Sequence, residues 1–394
     1  MTDLALRRRA SIGDATAARA PADMASSLVP LDAVDAAQWR ELGERVIEPN
    51  GYYLADWMLA VNATAPGRTD ASAIAVRDNA SPRRLAGLMP VVSLWRAFKI
   101  PLPALTSAHP YGTLCTPLID RERAETAAIA LLQAARASGA HALILRETAL
   151  EGETMRVLTD VALRNGLRPR VLQSYRRAAL DATREAEALL RDALGGKKIK
   201  ELRRQRHRME EHGAVSFTVA RTPQEVASAT EAFLKLEASG WKGERGTALI
   251  QTAGDAAFIR RATVTLAEHG QCEIVTLRTG EMPVAAGIVL RQNRRAFFFK
   301  LGVNERFARF SPGVQLTLEL TRHLCADPQI DGADSTASPD HPMINPIWRE
   351  RLAIGDVLIP LRRNDAIVAL VHAALVARQE LRGLARRAVH MLRR

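Results

Sequence analysis

The sequence predicts an α/β (α+β) protein built from two halves of similar order. Strand-like runs interleave with helical periodicities from about Leu31 to Ala179, and the same grammar resumes at Arg184 and runs to Ala326. Strands alternating with helices signal sheets covered by helices. The 394 residues suffice for two domains of ordinary size, and 47% hydrophobic with 25% charged residues is the composition of a globular chain.

In the first half, Ala71 to Val76 and Leu85 to Leu94 read as strands joined by the turn-rich Arg77-Asp78-Asn79-Ala80-Ser81-Pro82. Ile100 to Ile119 carries no Lys, Arg, Asp or Glu, as a membrane span would, but Pro101, Pro103, Pro110 and Pro117 forbid a continuous helix. It reads as a buried or pocket-lining loop. Asp120 caps a helix over Arg121 to Ser138, His141 to Arg146 is a strand, and Gly166 stops a helix over Glu153 to Asn165. Val171 to Leu180 closes the unit as a strand.

The second half opens with a long helical region, Arg184 to His212, broken near Gly195-Gly196 and ended by Gly213. Val215 to Ala220 is a strand. Pro223 to Ser239 is a helix with Val226, Ala229, Phe233 and Leu236 at helical spacing, and Ala256 to His269 is the next. Cys272 to Arg278, Val284 to Arg291 and Arg295 to Val303 are consecutive strands on hairpin-length connections. Ser311 as N-cap and Pro312 at the first helical position start a helix over Pro312 to Ala326, and Gln329 to Ala333 is a short strand.

From Asp365 the tail is helical, an apolar run followed by Arg378, Arg382, Arg386, Arg387, Arg393 and Arg394 with only Glu380 opposing them. Its apolar part is too short to span a bilayer, so it either packs on the body or lies on an anionic membrane surface. At the other end, Met1 to Ser27 lacks a signal-peptide core, and Asp3, Asp14 and Asp23 oppose a transit-peptide reading. Residues 1–28 read as a disordered tail.

The formal charge of +12 favours anionic partners: phosphorylated cofactors, nucleic acid or an anionic membrane surface. Cys115, Cys272 and Cys325 are odd in number and widely spaced, which supports neither a disulfide framework nor a zinc site and points to a reducing compartment.

The strand Phe297-Phe298-Phe299-Lys300-Leu301-Gly302-Val303 leads through Arg309-Phe310 into Ser311-Pro312-Gly313. At such a helix start the N–H groups of Gly313, Val314 and Gln315 point outward at the positive end of the dipole, where phosphates bind. An ordinary strand–loop–helix connection is the alternative. Lys300 either pairs with a carboxylate, Asp334 being the suggested partner, or meets an anionic ligand. Lys197 to Arg208 carries seven Lys/Arg and one acid, Glu201. Lys197, Arg204 and Arg208 would share a helix face with Glu201, either gripping a polyanion or simply solvated.

Four stretches carry a family resemblance: Gly195-Gly196-Lys197-Lys198 with Glu201-Leu202-Arg203-Arg204; Phe233 to Gly243 with Gly246-Thr247-Ala248; the Phe–Lys–Ser-Pro-Gly segment; and Asp334 to Ile344 with Trp348. Together, over residues 190–360, they resemble the CelD/BioF-like branch of the GNAT acetyltransferases, related to FemAB-like tandem GNAT proteins. The resemblance implies tandem GNAT-like domains, each a mixed or antiparallel central sheet flanked by helices, over residues 29–180 and 181–362, with a basic helix over 363–394. It implies direct transfer of an acyl group from acetyl-CoA or another acyl-CoA to an amine, without a metal, in polysaccharide or cell-envelope modification. Lys300, Arg309, Ser311, Gly313, Val314 and Gln315 are then the cofactor-binding residues, although Arg309-Phe310-Ser311-Pro312-Gly313 replaces the usual Q/R-x-x-G-x-G/A signature and Pro312 removes one N–H. An aminoacyl-tRNA donor is the second enzymatic reading; nucleic acid is otherwise not expected. A non-catalytic basic module is the third. The implied location is cytoplasmic, with the inner membrane face as a peripheral contact.

Transfer to an amine needs a proton acceptor and donors for the tetrahedral oxyanion. Asp334, after the short strand, ranks first; Glu237 lies just before the Gly240-Trp241-Lys242-Gly243 loop; His341 is the third candidate, an imidazole being the side-chain type able to exchange a proton near neutral pH. Their structural alternatives are an Asx-turn anchor, a solvated helix position and a loop-anchoring histidine. Trp241, Lys242 and Trp348 line the acceptor pocket, or the indoles belong to the core.

Overall fold

A computed structural model of the protein describes residues 23–392. Its strands are β1 Met24–Pro30, β2 Ser72–Asp78, β3 Leu85–Ser93, β4 Ala104–Ser107, β5 Leu118–Ile119, β6 Ala142–Ala149, β7 Arg170–Asp181, β8 Val215–Ala220, β9 Cys272–Thr279, β10 Met282–Gln292, β11 Arg295–Val303, β12 Gly332–Asp334 and β13 Glu350–Pro360. All thirteen form one sheet, in the order β1-β2-β3-β4-β6-β13-β7-β12-β11-β10-β9-β8, with β5 paired to β3 off that path.

That order is a palindrome of two chain halves. β1 to β4 answer β8 to β11, and β6 answers β12. Each half contains one parallel junction, β4 with β6 (Ala104↔Ala142 to Thr106↔Ile144) and β11 with β12 (Arg295↔Gly332 to Phe297↔Asp334), among otherwise antiparallel pairs. The central positions are exchanged. β7, which ends the first half, pairs with β12 of the second, while β13, which ends the second, pairs with β6 of the first. β7 and β13 then pair with each other from Glu350↔Ala179 to Leu358↔Arg170.

The helices are α1 Ala36–Arg45, α2 Ala55–Thr64, α3 Leu94–Phe98, α4 Ala124–Ala137, α5 Glu153–Arg164, α6 Ala186–Glu210, α7 Pro223–Ser239, the one-turn α8 Trp241–Glu244, α9 Ala253–Glu268, α10 Pro312–Ala326 and α11 Ala366–Leu392. α7 starts where the sequence places it because Thr222 and Glu225 close a capping box and Pro223 occupies the first turn. α6 is kinked at Gly195 (φ 70°, ψ 160°), a conformation that glycine adopts without strain.

The apolar faces of α4 and α5 cover β2, β3 and β6, while α6 and α10 cover the equivalent face of the second half. A third cluster joins the halves: Tyr52 and Trp57 from the first pack with Phe233, Phe258 and Phe297 from the second, with the Trp57 and Phe258 rings edge to face at 4.9 Å.

Several elements differ from the sequence reading. β1 begins at Met24, inside the stretch read as a disordered tail; residues 1–22 lie outside the described residues. The run Ile100 to Ile119 is largely buried loop but also supplies β4 and β5. β13, α1 and α2 were not expected. α11 packs by Val368, Val371 and Leu375 onto Leu94, Ile144 and Leu358, the packing alternative, whereas Leu381 and Leu384 further along are exposed. Among the described residues no helix is long and apolar enough to cross a membrane.

Candidate active site at the junction of the halves

Past the β11–β12 pairing the two strands part: β12 ends at Asp334 while β11 runs on to Val303. The loop after β4, residues 108–117, reaches this opening from the first half. It turns at Tyr111, which holds φ 65°, a conformation costly for a bulky side chain.

Thr113 in that loop meets Arg177 of β7. Arg177 opens the fully buried run Arg177 to Leu180, and its guanidinium is wholly enclosed. Nη1 donates to the Thr113 carbonyl (2.6 Å) and Oγ1 (2.9 Å), while Nη2 forms an ion pair with Asp334 Oδ2. Asp334 Oδ1 accepts from the Thr336 N–H at 2.8 Å. Thr336, at φ 50°, donates its hydroxyl to the Phe298 carbonyl (2.6 Å) and accepts from Thr113 Oγ1 through its own carbonyl (3.0 Å). Burial opposes the charge on Arg177, but the Asp334 carboxylate more than offsets it and raises the guanidinium further. Both Asp334 oxygens are therefore engaged, one of them by a cation that does not deprotonate.

The expected Lys300–Asp334 pair does not form. Lys300 Nζ instead lies 3.2 Å from Glu237 Oε1, because Glu237, at the end of α7, points under the strand rather than to solvent. Glu237 Oε2 accepts from the Leu249 N–H at 2.9 Å. The Lys300 ammonium sits 5.9 Å from the Tyr111 ring centroid and 5.8 Å from that of Phe299, and the Arg68 guanidinium stacks on Tyr111 at 4.3 Å. Burial, then a hydrogen bond with Asp255, pushes the Tyr111 phenol up. Burial, with Arg146 and Arg68 nearby, pulls His109 down to about 3, so its ring is neutral. His109 Nδ1 accepts from the Tyr111 N–H at 3.0 Å. Arg177, Tyr111 and His109 were missed from sequence. The available signal for Arg177 was its place at the head of Ala178-Ala179-Leu180, where an arginine must be paired.

One residue beyond Lys300, Leu301 and then Val303 pack against the start of α10: a Cβ on Gly313 would lie 3.0 Å from Leu301 Cδ2 and 3.2 Å from both Val303 Cγ1 and Met343 Sδ. Ser311 precedes the helix in a left-handed conformation (φ 54°, ψ 51°) and makes no side-chain cap, contrary to expectation. The Gln315 N–H is bonded to the Ser311 carbonyl at 3.0 Å, and its side chain donates to the Leu202 carbonyl at 2.8 Å. Gln315 thus leaves the expected set of free donors. Helix geometry frees only the N–H groups of Gly313 and Val314. Arg309 is exposed, stacked on Phe310 at 4.7 Å.

Other expected residues serve elsewhere. Trp348 is a core side chain rather than a pocket wall: it is fully buried and donates from Nε1 to Thr321 Oγ1 at 2.9 Å. His341 Nδ1 accepts from the Met343 N–H at 3.3 Å and anchors a turn. The side chains of Trp241 and Lys242 lie outside those described. On α6, Glu201 pairs with Lys198 (3.1 Å), and Arg206 reaches Glu319 (2.7 Å). Among the described residues no His, Cys, Asp or Glu group is placed to hold a metal.

Residues 196–340 match the family model described as an acetyltransferase (GNAT) domain. No curated protein matches the chain. Among solved structures, FemX is similar at 10% identity and a TM-score of 0.53 over 86% of this chain and 98% of that one. The C-terminal domain (DUF2156) of a candidate lysylphosphatidylglycerol synthetase from Agrobacterium fabrum is similar at 14% identity and a TM-score of 0.52, over 86% and 95%. A conserved protein of unknown function from Bacteroides thetaiotaomicron follows at 12% and 0.51, over 84% and 98%. The parallel junction, the helix start beside it and the family match coincide in one segment: residues 196–340 are similar to GNAT acetyltransferase domains, and the chain shares its mixed-sheet fold with FemX.

Proposed function

We propose that the protein transfers an acyl group from acyl-CoA directly to an amine at the junction of its halves. The observation that carries this reading is the placement of Lys300 on β11, paired with Glu237 from the end of α7, immediately before the residues that pack against the start of α10. A donor whose diphosphate rests on the Gly313 and Val314 N–H groups runs beside the free half of β11. Its thioester carbonyl then comes near Lys300, whose ammonium, less than a quarter exposed, stabilises the developing oxyanion. The amine nitrogen attacks the carbonyl carbon, the carbon–sulfur bond breaks, CoA leaves as thiolate, and Glu237 takes the amine proton. Its oxygens are engaged as those of Asp334 are, but its cationic partner Lys300 is part-exposed and open to the substrate, whereas Arg177 is wholly enclosed. Asp334 holds Arg177 and the Thr336 turn in place instead of acting as the base. The CelD/BioF-like resemblance supports an amine of an envelope polysaccharide as acceptor and a cytoplasmic location.

Calorimetry with CoA and acetyl-CoA tests the donor, and failure of both to bind refutes it. Glu237→Gln should keep CoA affinity within about twofold and slow amine-dependent thiol release by roughly 10²–10⁴-fold; full activity removes Glu237 as the base. The net charge of +12 also suits an aminoacyl-tRNA donor. Salt-steep tRNA binding that competes with turnover would transfer the donor role to it.

A further inference from the structure

On the sheet face under α11, Val371, Leu375, Arg378 and Arg382 follow one another at spacings of four, three and four, so they share one side of the helix. The first two dock onto the apolar cluster around Ile144 and Leu358. The next two overhang polar positions of the central strands. There a cavity of about 200 Å³ lies between α11 and the sheet, walled by Arg146 of β6, Gln173 of β7, Asp356 of β13, Phe98 of α3, and Arg378 and Arg382. At ~30 Å³ per water it has room for about six waters, enough for a small anion.

Charge in this cavity is unbalanced. Arg146 and Arg378 both sit over the Phe98 ring, at 5.2 and 4.3 Å from its centroid. Burial, followed by the neighbouring charges of Arg382 and Arg146, pulls Arg378 below the usual arginine value. Among the described residues no carboxylate forms an ion pair with any of the three. Asp356, the one acid in the wall, is already occupied: Oδ2 accepts from Gln173 Nε2 at 2.7 Å and Oδ1 from the Glu147 N–H at 2.8 Å. Glu147, behind it, is pushed up by burial against the opposing pull of the Arg146 charge. Three guanidiniums brought together on a part-buried wall repel one another unless an anion stands between them. Their planar forks match the oxygens of a phosphate.

We propose that this pocket under α11 binds a phosphate group, as a phosphomonoester or diphosphate. It is separate from the α10 helix start and does not depend on the donor assignment. Pyrophosphate binding to the full-length protein is followed by calorimetry beside Arg146→Gln/Arg378→Gln. The wild type should show a binding event that weakens at least tenfold in the double variant, while CoA affinity is unchanged. Arg382→Gln, on an exposed side chain, should weaken it several-fold and serves as the arm least able to disturb folding. Phosphatidylglycerol vesicles distinguish the source. Sedimentation with vesicles that is lost in the double variant, which keeps Arg386 and Arg387, assigns a lipid headgroup; binding of pyrophosphate alone assigns a soluble ligand. A wild type that binds neither probe, or variants that bind both as the wild type does, would overturn the proposal.

Discussion

Asp334→Asn separates a structural carboxylate from a catalytic one. The change is nearly isosteric and leaves Arg177 in place, with 0% side-chain exposure and no counter-charge. Nη1 keeps its bonds to Thr113, so the loss is chiefly the charge that stabilises the buried guanidinium. Breaking a buried pair from one side costs about 3–5 kcal/mol. At roughly 2.1 cal/mol/K of unfolding entropy per residue over 394 residues, that lowers the midpoint by about 4–6 °C. The assay is urea unfolding with thermal scans, and Arg177→Met/Asp334→Leu completes the comparison. The double variant should recover most of the loss, because two apolar side chains leave no charge to desolvate. An Asp334→Asn protein with wild-type stability and greatly reduced turnover would refute the structural assignment and restore Asp334 as the base.

Two further outcomes are accessible to the same methods. Glu273 on β9 is buried, and burial alone would raise its carboxyl, but His323 (2.9 Å), Arg291 (3.3 Å) and Arg221 (3.2 Å) outweigh that and hold it below the usual range. With a depressed folded-state value, its contribution is complete above about pH 4.5 and lost as pH falls through that lower value. Glu273→Gln should therefore be about 3 kcal/mol less stable than wild type at pH 7, with the gap closing below about pH 4.5; a pH-independent gap contradicts the assignment. Gly112→Ala places a Cβ 2.2 Å from Tyr52 Cδ1, and Tyr52 is boxed in by the rings of Trp57, Phe297 and Phe299. A loss of about 1–3 kcal/mol in denaturant unfolding is expected, and an unchanged midpoint would show that the ring has room to move.

The local elements were legible where periodicity and caps agree. β8, α7, β11 and α10 begin and end at the residues read from sequence, since Pro223 and Pro312 punctuate the helices and the aromatic run marks the strand. β13 was not, because a bulge at Gly355 to Val357 interrupts its alternation and Gly355 packs against the Gln173 carbonyl. Which half it would join is set by contacts more than two hundred residues away, invisible to any local pattern. In the site, Glu237 and Lys300 were singled out but not as partners, for a helix end and a strand middle 63 residues apart carry no pairing signal. Ser311 looked like an N-cap by type, yet the tight turn after Phe310 puts it in the left-handed region, and its hydroxyl cannot serve.

The exchange of β7 and β13 bears on how the chain is made. β6 finishes at Ala149, but the strand that covers its open edge ends only at Pro360. At roughly 5–20 residues per second, ribosomal synthesis leaves that edge without its partner for about 10–40 s. Over that interval β7 also waits for β12, so neither half can close before the other has emerged. The nascent chain carries unpaired strand edges through most of its synthesis, the period when pairing with another chain competes with folding.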